Sequence, residues 1–506
     1  MMGFKRVFGQ LIVIALAFTS VAVFVTSLLT SIYYEMHEDV DFPRYRGENV
    51  PVLLIAMACV FIVFLLLSRS HMISTNTPII IALVFCAAYC MTLILAIKPL
   101  PVDDSKLIDN ALLEFAQGNY SALTEKSGYL YIWPFQLGYF LFGETMDRLF
   151  GHGNYLVWDI IQVIVIMITV FLLYLITLEL FEDRRVSGIM AFLSMGMLFF
   201  YNYSTYIYGD ILSMAPQTMA LYLMVLYLKR RNAGYAFLSA PFIALAIMIK
   251  TNCEITLIAM VMLVLLDLAK RPSVKEVLSK IAIIAAMLVC VWGVKYAVNQ
   301  HYMELTGIDS IPGGSPAVSH IMMGLQESEL EDGWYNGYNY MAFAVNDSDT
   351  EKTKAYVTEE LMERLSLFAH HPRYFARFMT RKFLTQWADS VCISTHNLDL
   401  VSRHVENPTE LKDFIVFGKG SIILEWIMNV FMSVCYLCVI VYLITRIRDR
   451  RTSLPELLLL ILMFGGIAFH QFWEGSSRYA MRYYVYWLPY AAYGMKTLLS
   501  KFLRRN

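Results

Sequence analysis

Residues 78–120 read PIIIALVFCAAYCMTLILAIKPLPVDDSKLIDNALLEFAQGNY. The part from 78 to 97 is apolar almost throughout, and about 20 apolar residues suffice for a helix that crosses a bilayer. Two adjacent aspartates, Asp103 and Asp104, follow almost at once. The stretch therefore predicts a membrane span that ends beside a pair of carboxylates.

The composition extends this prediction to the whole chain. Of its 506 residues, 58% are hydrophobic and 16% are charged, and the mean hydropathy is +0.55. Soluble domains are nearer to about 50% apolar and about 25% charged, so the chain is predicted to be an integral membrane protein. The net charge of −1 argues against nucleic-acid binding. The cysteines lie mostly in apolar runs, which predicts neither a disulfide framework nor a cysteine metal site.

Apolar runs long enough to cross a bilayer recur along the chain. The first is interpreted as an uncleaved anchor, because it continues to about Ile32 without a small-residue cleavage site. Residues 133–150 are short and amphipathic and are predicted to be re-entrant or interfacial. The candidate spans are 8–31, 51–68, 78–98, 154–180, 186–207, 211–228, 234–250, 253–269, 278–298, 420–446, 454–472 and 482–500.

Basic residues predict the orientation of these spans, since loops rich in Lys and Arg stay in the cytoplasm. Both termini are predicted to be cytoplasmic, in a multi-pass protein of the plasma (inner) membrane. The clusters that fall on this side include Lys5/Arg6, Arg184/Arg185, residues 229–231 and residues 446–451.

The predicted fold is an all-α polytopic membrane protein with about twelve transmembrane helices and two long extracytoplasmic loops. Loops of such length are usually functional, which predicts that the protein works at the outer membrane face. The predicted divisions are three N-terminal spans (1–98), a first large outer loop (99–153), a six-span core (154–298), a second large outer loop (299–419) and three C-terminal spans (420–506).

The aspartate pair precedes an amphipathic segment. Apolar residues recur there at helical spacing from Leu107 to Phe115, and Gly118 is a typical helix stop. This predicts a helix lying along the outer interface, with both carboxylates at its positive N-terminal end. An aspartate there could act only as a helix cap, worth about 1 kcal/mol, or it could take part in chemistry.

Several short motifs occur in a fixed order around this helix. Together with Ala111, Gly118 and Tyr120 of the helix region, the chain resembles the GT-C glycosyltransferases, polytopic enzymes that use polyprenyl-phosphate sugars, and among them bacterial relatives of the protein O-mannosyltransferases. In the commonest pattern of that family the aspartate follows the first span, whereas two further spans precede it here. The motifs are WPFQLG (133–138), YIYGD (206–210), HIMMGLQ…GWYNGYN (320–339) and FWEGSSRYAMRYYVYWLP (472–489).

The resemblance implies that an aspartate of the first large outer loop is the base that activates an acceptor hydroxyl. Asp104, which adjoins the helix directly, is the first candidate and Asp103 the second. Attack opposite the departing phosphate implies inversion of the anomeric centre. No cofactor is certain from the sequence: a divalent metal beside the pair is an alternative that it does not favour.

Basic residues at outer span ends are the candidates for binding the donor phosphate. Arg478 and Arg482 are predicted first, because guanidinium groups bind phosphate in a bidentate manner. The alternative for Arg478 is a helical i,i+4 pair with Glu474. Lys250 lies between two apolar spans, where an ionisable group is usually functional unless its side chain reaches the interface.

Polar and aromatic residues in the same motifs are candidates for substrate binding. The alternatives are a helix-capping role for Asp210 and an ordinary surface-loop role for the aromatic residues. Lys382 and Trp387 are weaker candidates for facing the donor. The predicted substrate-binding residues are Tyr129, Gln136, Tyr208, Asp210, His320, Trp334, Tyr335, Glu474 and Tyr479.

The resemblance thus implies a membrane glycosyltransferase that moves a sugar from a polyprenyl-phosphate donor to a cell-envelope or lipid-linked glycan at the outer face. Its partners would be that donor, the glycan acceptor and membrane lipid. A polysaccharide polymerase or ligase is the alternative. A twelve-span secondary transporter is a further one, although such proteins usually show repeat symmetry and broken helices around a midplane site.

Overall fold

The computed structural model describes residues 2–37, 40–268, 272–403 and 409–503. Within these ranges the chain is almost entirely helical, as a chain that crosses lipid must be, because a helix pairs its backbone polar groups within one segment. The helical fold class is thereby confirmed.

Some of the α-helices are long enough to cross the membrane, and shorter ones build one end of the bundle. In chain order they are α1 (Met2–Leu29), α2 (Val50–Arg69), α3 (Thr77–Ile97), α4 (Asp103–Ala116), α5 (Ser121–Thr124), α6 (Tyr129–Ile132), α7 (Leu137–Phe150), α8 (Tyr155–Phe181), α9 (Arg184–Ser194), α10 (Leu198–Asn202), α11 (Gly209–Leu212), α12 (Met214–Arg230), α13 (Ala233–Ile249), α14 (Glu254–Leu266), α15 (Val274–Thr306), α16 (Ala317–Gly324), α17 (Tyr338–Val345), α18 (Thr350–His370), α19 (Pro372–Trp387), α20 (Ser394–Ser402), α21 (Glu410–Lys412), α22 (Lys419–Asp449), α23 (Leu454–Phe472) and α24 (Ser477–Leu503).

Each of the twelve predicted spans corresponds to helix. Among the described residues, eight helices are long and apolar enough to cross a membrane, and the bent pair Arg184–Ser194 and Leu198–Thr205 makes a ninth. Two further apolar helices, Ala233–Ile249 and Thr251–Leu266, are shorter. The predicted span 186–207 is therefore a helix broken by 58° rather than a straight one.

Residues 133–150 form a 3-10 turn and α7, which packs on α4, α13 and α15. Close packing here requires glycine at position 138, because a Cβ added to Gly138 would lie 2.2 Å from the carbonyl oxygen of Met248. The segment joins the first large loop to the helical bundle.

An antiparallel β-hairpin follows α1, in a segment predicted only as an outer connection. Strands β1 (Thr30–His37) and β2 (Val40–Gly47) pair from Thr30 with Gly47 to His37 with Val40. The hairpin is anchored to the bundle by an ion pair of 2.9 Å between Arg46 and Glu425.

Both long loops are folded rather than irregular. Helices α4 to α7 occupy the first, and α16 to α21 occupy the second. Helix α15 is longer than the predicted span 278–298, since its 33 residues rise about 50 Å. We refer to the end of the bundle that carries the hairpin and these two segments as the hairpin end.

Candidate active site

The N-cap position of α4 is occupied by Val102 and not by an aspartate. Ser105 Oγ accepts a hydrogen bond of 2.9 Å from the backbone N–H of Val102 and donates one of 2.6 Å to its carbonyl. Asp103 and Asp104 occupy the first turn of the helix. Neither aspartate therefore occupies the N-cap position.

The two aspartates differ in backbone conformation and in exposure. Asp103 is exposed and has a φ of +47°, a left-handed conformation that costs a residue with a side chain on the order of 1 kcal/mol. Asp104 is half-buried. Such strain is concentrated at functional sites of proteins.

Asp104 belongs to a hydrogen-bonded group with three predicted substrate-binding residues. The hydroxyl of Tyr208 donates a long hydrogen bond of 3.4 Å to Asp104 Oδ2. The amide of Gln136 donates to the hydroxyl of Tyr208 and, at 3.4 Å, to that of Tyr129. Burial raises the pKa of Tyr129 well above its ordinary value, and the charge of Asp104 raises it further. One hydrogen-bonded network therefore connects Asp104 with residues of the WPFQLG and YIYGD motifs.

Lys250 and Asp210 form a buried ion pair beside this group. Lys250 Nζ lies 3.1 Å from Asp210 Oδ2 and 4.1 Å from the ring centroid of Tyr208. Gly209 permits the contact, because a Cβ there would lie 2.6 Å from the carbonyl oxygen of Ile249. Asp210 lies in the first turn of α11 and pairs with Lys250, so it is more than a helix cap.

Arg478 lies on the other side of Tyr208. Its guanidinium carbon is 5.8 Å from the ring centroids of Tyr206 and Tyr208 and 5.4 Å from that of Tyr479. It donates a hydrogen bond of 3.1 Å to the hydroxyl of Tyr206, while its Nε has no hydrogen-bond partner. The alternative of a helical pair with Glu474 does not apply, since α24 begins only at Ser477.

Arg482, one turn further along α24, has its donors occupied. It is 3% exposed, and it holds the segment from Asp210 to Gln217 against α24. Its hydrogen bonds go to Gln217 Oε1 at 3.2 Å, Cys253 Sγ at 3.0 Å, Ser213 Oγ at 3.0 Å and the carbonyl of Asp210 at 3.4 Å.

The second large loop docks on the turn that precedes α24. Trp334 forms a parallel bridge with Gly475, whose N–H donates to the carbonyl of Gly333 at 2.7 Å. Buried Lys382 donates to the carbonyls of Gly324 at 2.5 Å and Trp473 at 2.6 Å. Burial lowers the pKa of Lys382 to about 7. These contacts fix the turn 473–476.

Glu474 and Tyr335 face the same region. Tyr479 donates a hydrogen bond of 3.2 Å to Glu474 Oε1, and burial raises the pKa of Glu474. Tyr335 is 50% exposed. Burial raises its pKa, and the charges of Glu474 and Asp104 raise it further. The second loop thus brings an exposed aromatic ring within electrostatic reach of Asp104.

His320 joins the WPFQLG and FWEGSS motifs through ring contacts. Its ring stacks on Trp473 at 4.8 Å and meets the edge of Trp133 at 5.4 Å. Burial lowers the pKa of His320 to about 4, so its ring is neutral at pH 7. Trp133, His320 and Trp473 thus form one cluster of ring contacts.

Asp389 is a buried residue of this region that the sequence did not reveal. It accepts hydrogen bonds from Tyr34 of the hairpin at 2.7 Å and from Ser477 at 2.5 Å. It also accepts them from the backbone N–H groups of Val391 and Ile393. A lone aspartate in a loop carries no spacing signal, and Tyr206, which holds Arg478, was likewise seen only as part of a motif.

Most predicted site residues therefore gather at the hairpin end around Tyr208, and Arg482 packs deeper in the bundle. Among the described residues, no group of three or more His, Cys, Asp or Glu side chains could hold a metal ion. The expectation from the sequence, that a divalent metal is not favoured, stays a prediction.

Residues 136–294 match the family of dolichyl-phosphate-mannose-protein mannosyltransferases. The matched segment contains Gln136, Tyr208, Asp210 and Lys250, and it lies between the aspartate pair and Arg478. No curated protein matches the chain in sequence.

Solved structures of similar outline come from two further proteins. The oligosaccharyltransferase of Archaeoglobus fulgidus, tethered with an acceptor peptide containing the NVT sequon, is 16% identical, with a TM-score of 0.43 over 86% of this chain. The chain spans 51% of that protein's length. ArnT from Cupriavidus metallidurans, bound to undecaprenyl phosphate, is 11% identical, with a TM-score of 0.33 over 83% of this chain and 78% of its own.

The family match agrees with the resemblance found in the motifs: residues 136–294 of this polytopic membrane protein are similar to the dolichyl-phosphate-mannose-protein mannosyltransferases.

Proposed function

We propose that the chain transfers a sugar from a polyprenyl-phosphate donor to a hydroxyl of a cell-envelope or lipid-linked glycan, at the outer face of the plasma membrane. The family match supports the class of donor, because members of the matched family are named for a sugar carried on dolichyl phosphate. The predicted sidedness supports the outer face, since the basic clusters lie at the end opposite the site.

One observation carries this proposal: a carboxylate and two cations surround the single side chain of Tyr208. Its hydroxyl reaches Asp104 at 3.4 Å, and its ring lies 4.1 Å from the ammonium of Lys250 and 5.8 Å from the guanidinium carbon of Arg478. A base and a positive charge separated by about one aromatic ring suit a reaction that removes a proton at one end and releases a phosphate at the other.

The proposed step needs a base and charge stabilisation. An oxygen of the acceptor attacks the anomeric carbon while its proton passes to the carboxylate of Asp104. The new C–O bond forms as the bond to the phosphate oxygen breaks, and the polyprenyl phosphate leaves with the electron pair. Attack from the opposite face inverts the anomeric centre. The phosphate is a good leaving group, so no general acid is required.

Arg478 is the proposed ligand of the donor phosphate. Its Nε has no protein partner, and three aromatic rings hold the guanidinium in place, which leaves a donor available for an anion. Arg482 is proposed as a positioning residue, because its hydrogen bonds hold Gln217 and Ser213. Lys250 contributes positive charge that Asp210 largely balances.

The exposed side of the site is proposed to receive the acceptor glycan. Tyr335 is half-exposed beside Glu474 and Asp104. Its aromatic face is suited to stacking on a sugar ring, and the two carboxylates are suited to accepting hydrogen bonds from the sugar hydroxyls. Trp334 is 2% exposed, so we propose that it positions the loop and does not contact the sugar.

The test uses the full chain in liposomes that contain a radiolabelled polyprenyl-phosphate hexose, with cell-envelope glycan as acceptor. We expect label to appear on the glycan and unlabelled polyprenyl phosphate to accumulate in equal amount. Anomer-specific NMR of the product should show inversion. If the donor stays intact with every glycan fraction, or if the protein instead moves solutes across the liposome membrane, the proposed function is wrong.

A further inference from the structure

A cavity of about 290 Å³ lies at the end of the bundle opposite the candidate active site. It is formed where the start of α1 meets the turn between α22 and α23. The α1 segment that separates it from the hairpin rises about 35 Å, so it is distinct from the site around Tyr208. Its polar lining consists of Lys5, Arg6, Gln10, Arg450, Arg451 and Thr452.

The charge of this cavity is of one sign. No carboxylate of the described residues lines it. Arg6, Arg450 and Arg451 form no ion pair within the part of the chain that the structure describes, and Lys5 donates to a neutral carbonyl, that of Leu268, at 2.6 Å. The cavity therefore concentrates positive charge without an internal counter-ion.

Several other cations at the same end of the bundle are neutralised by the protein. Arg230 pairs with Glu179 at 2.9 Å, Lys229 with Glu182, and Lys496 with Asp183. Retention of basic loops in the cytoplasm requires only that such residues be present. The retention of basic loops in the cytoplasm thus explains why cations are numerous at this end. It does not explain why four cations without ion pairs line one cavity.

The cavity also offers a hydroxyl and adjoins an apolar surface. Thr452 Oγ1 is buried without a hydrogen-bond partner. The apolar part of the lining consists of Gly9, Leu454 and Leu457. Cations, a hydroxyl and a small apolar surface together match a phosphate group that carries an apolar substituent.

We propose that this cavity binds a phosphate group, with the headgroup of an anionic phospholipid as its principal source and a free phosphate as the other. Guanidinium groups bind phosphate oxygens through paired N–H donors, and basic pockets between helices at this membrane face are suited to anionic headgroups.

Native mass spectrometry of the full chain tests the proposal, with phosphatidylglycerol and phosphatidylcholine of identical acyl chains. The variant is Arg450→Gln/Arg451→Gln, which leaves Lys5 and Arg6 to maintain the orientation of α1. Each cation that contacts the bound headgroup contributes about a fivefold change in binding, whereas exposed cations more than about 10 Å away from it are screened by salt. We expect the variant to bind phosphatidylglycerol about 30-fold more weakly and phosphatidylcholine as before.

The control is Arg184→Gln/Arg185→Gln, which removes two exposed cations outside the cavity, and it should retain phosphatidylglycerol within about twofold of the unmodified chain. Displacement of the lipid by millimolar inorganic phosphate would support the site with free phosphate as its source. Equal retention of both lipids, or equal loss in variant and control, would overturn the proposal.

A salt titration of the unmodified chain provides a test that needs no variant. Lipid binding to the cavity must weaken steeply as ionic strength rises. Retention of phosphatidylglycerol that is independent of salt would overturn the proposal even if the variant failed to fold.

Discussion

The hydroxyl of Tyr208 donates a hydrogen bond to Asp104 across 3.4 Å, although the two residues come from segments about a hundred positions apart. Tyr208 follows the broken span, and Asp104 lies in the first turn of α4. The contact places the carboxylate at one end of a ring whose face meets Lys250. The relationship links the proposed base to the proposed cations.

Tyr208→Phe removes the hydrogen bond to Asp104 and keeps the ring beside the cations. A hydrogen bond to a charged group is worth about 2 kcal/mol, so we expect kcat to fall by about 10-fold to 30-fold with little change in donor KM. Tyr155→Phe is the matched control, because Tyr155 donates to Asp109 on the same helix at 2.7 Å. Equal losses of kcat in both variants would contradict a specific role for Tyr208.

Arg478→Gln and Arg482→Gln should have different effects. Arg478 has a free donor, so its replacement should raise the donor KM by about 10-fold, while loss of its hydrogen bond to Tyr206 and its ring contacts lowers the unfolding temperature only slightly. Arg482 fills four buried contacts, and its replacement should lower the unfolding temperature by several degrees. The assignment is wrong if Arg482→Gln raises donor KM at unchanged stability while Arg478→Gln does not.

His320 should make stability depend on pH. Burial lowers its pKa to about 4 in the folded state, against about 6.5 when unfolded. Between these values the unfolded chain binds more protons, so stability falls as pH drops from 6.5 to 4, by about 3 kcal/mol in total.

The unfolding temperature of the unmodified chain and of His320→Phe, measured from pH 7 to pH 4.5, checks this prediction. Phenylalanine keeps the stacking on Trp473 and cannot take up a proton. The difference between the two proteins should grow in favour of the variant as pH decreases. A difference that is constant with pH would contradict the prediction.

Lys382→Met should release the turn that carries Glu474. The variant loses both hydrogen bonds of the buried amine, to Gly324 and Trp473. We expect faster hydrogen exchange in residues 472–477 and a several-fold loss of transfer activity. Lys352→Met serves as the control, since Lys352 is exposed. Unchanged exchange in 472–477 would show that Lys382 does not hold the turn.

The bundle could be predicted from the sequence because apolar length alone determines where a span can form. Even so, the break near Gly196 was not predicted, and it coincides with a long-range contact: a Cβ at Gly196 would lie 1.9 Å from the ring of Phe431. The hairpin was missed for a similar reason. Its anchors, Asp389 and Glu425, come from distant segments.

The site was predictable as a set of residues but not as a geometry. The order of the motifs predicted Tyr208, Gln136 and Asp104 as site residues, and hydrogen bonds connect them in the structure. The sequence did not distinguish Arg478 from Arg482 as ligands of the donor phosphate, because the two lie one helical turn apart. Only the packing shows that one faces a ring cluster with a free Nε and the other is fully engaged.

The most direct test of the account compares Asp104→Asn with Asp103→Asn in liposomes that contain labelled polyprenyl-phosphate hexose. Loss of a general base reduces rates by about 100-fold to 10,000-fold. We expect Asp104→Asn to reduce transfer by at least about 100-fold at unchanged unfolding temperature and Asp103→Asn to reduce it less. Full transfer activity in Asp104→Asn would contradict the account.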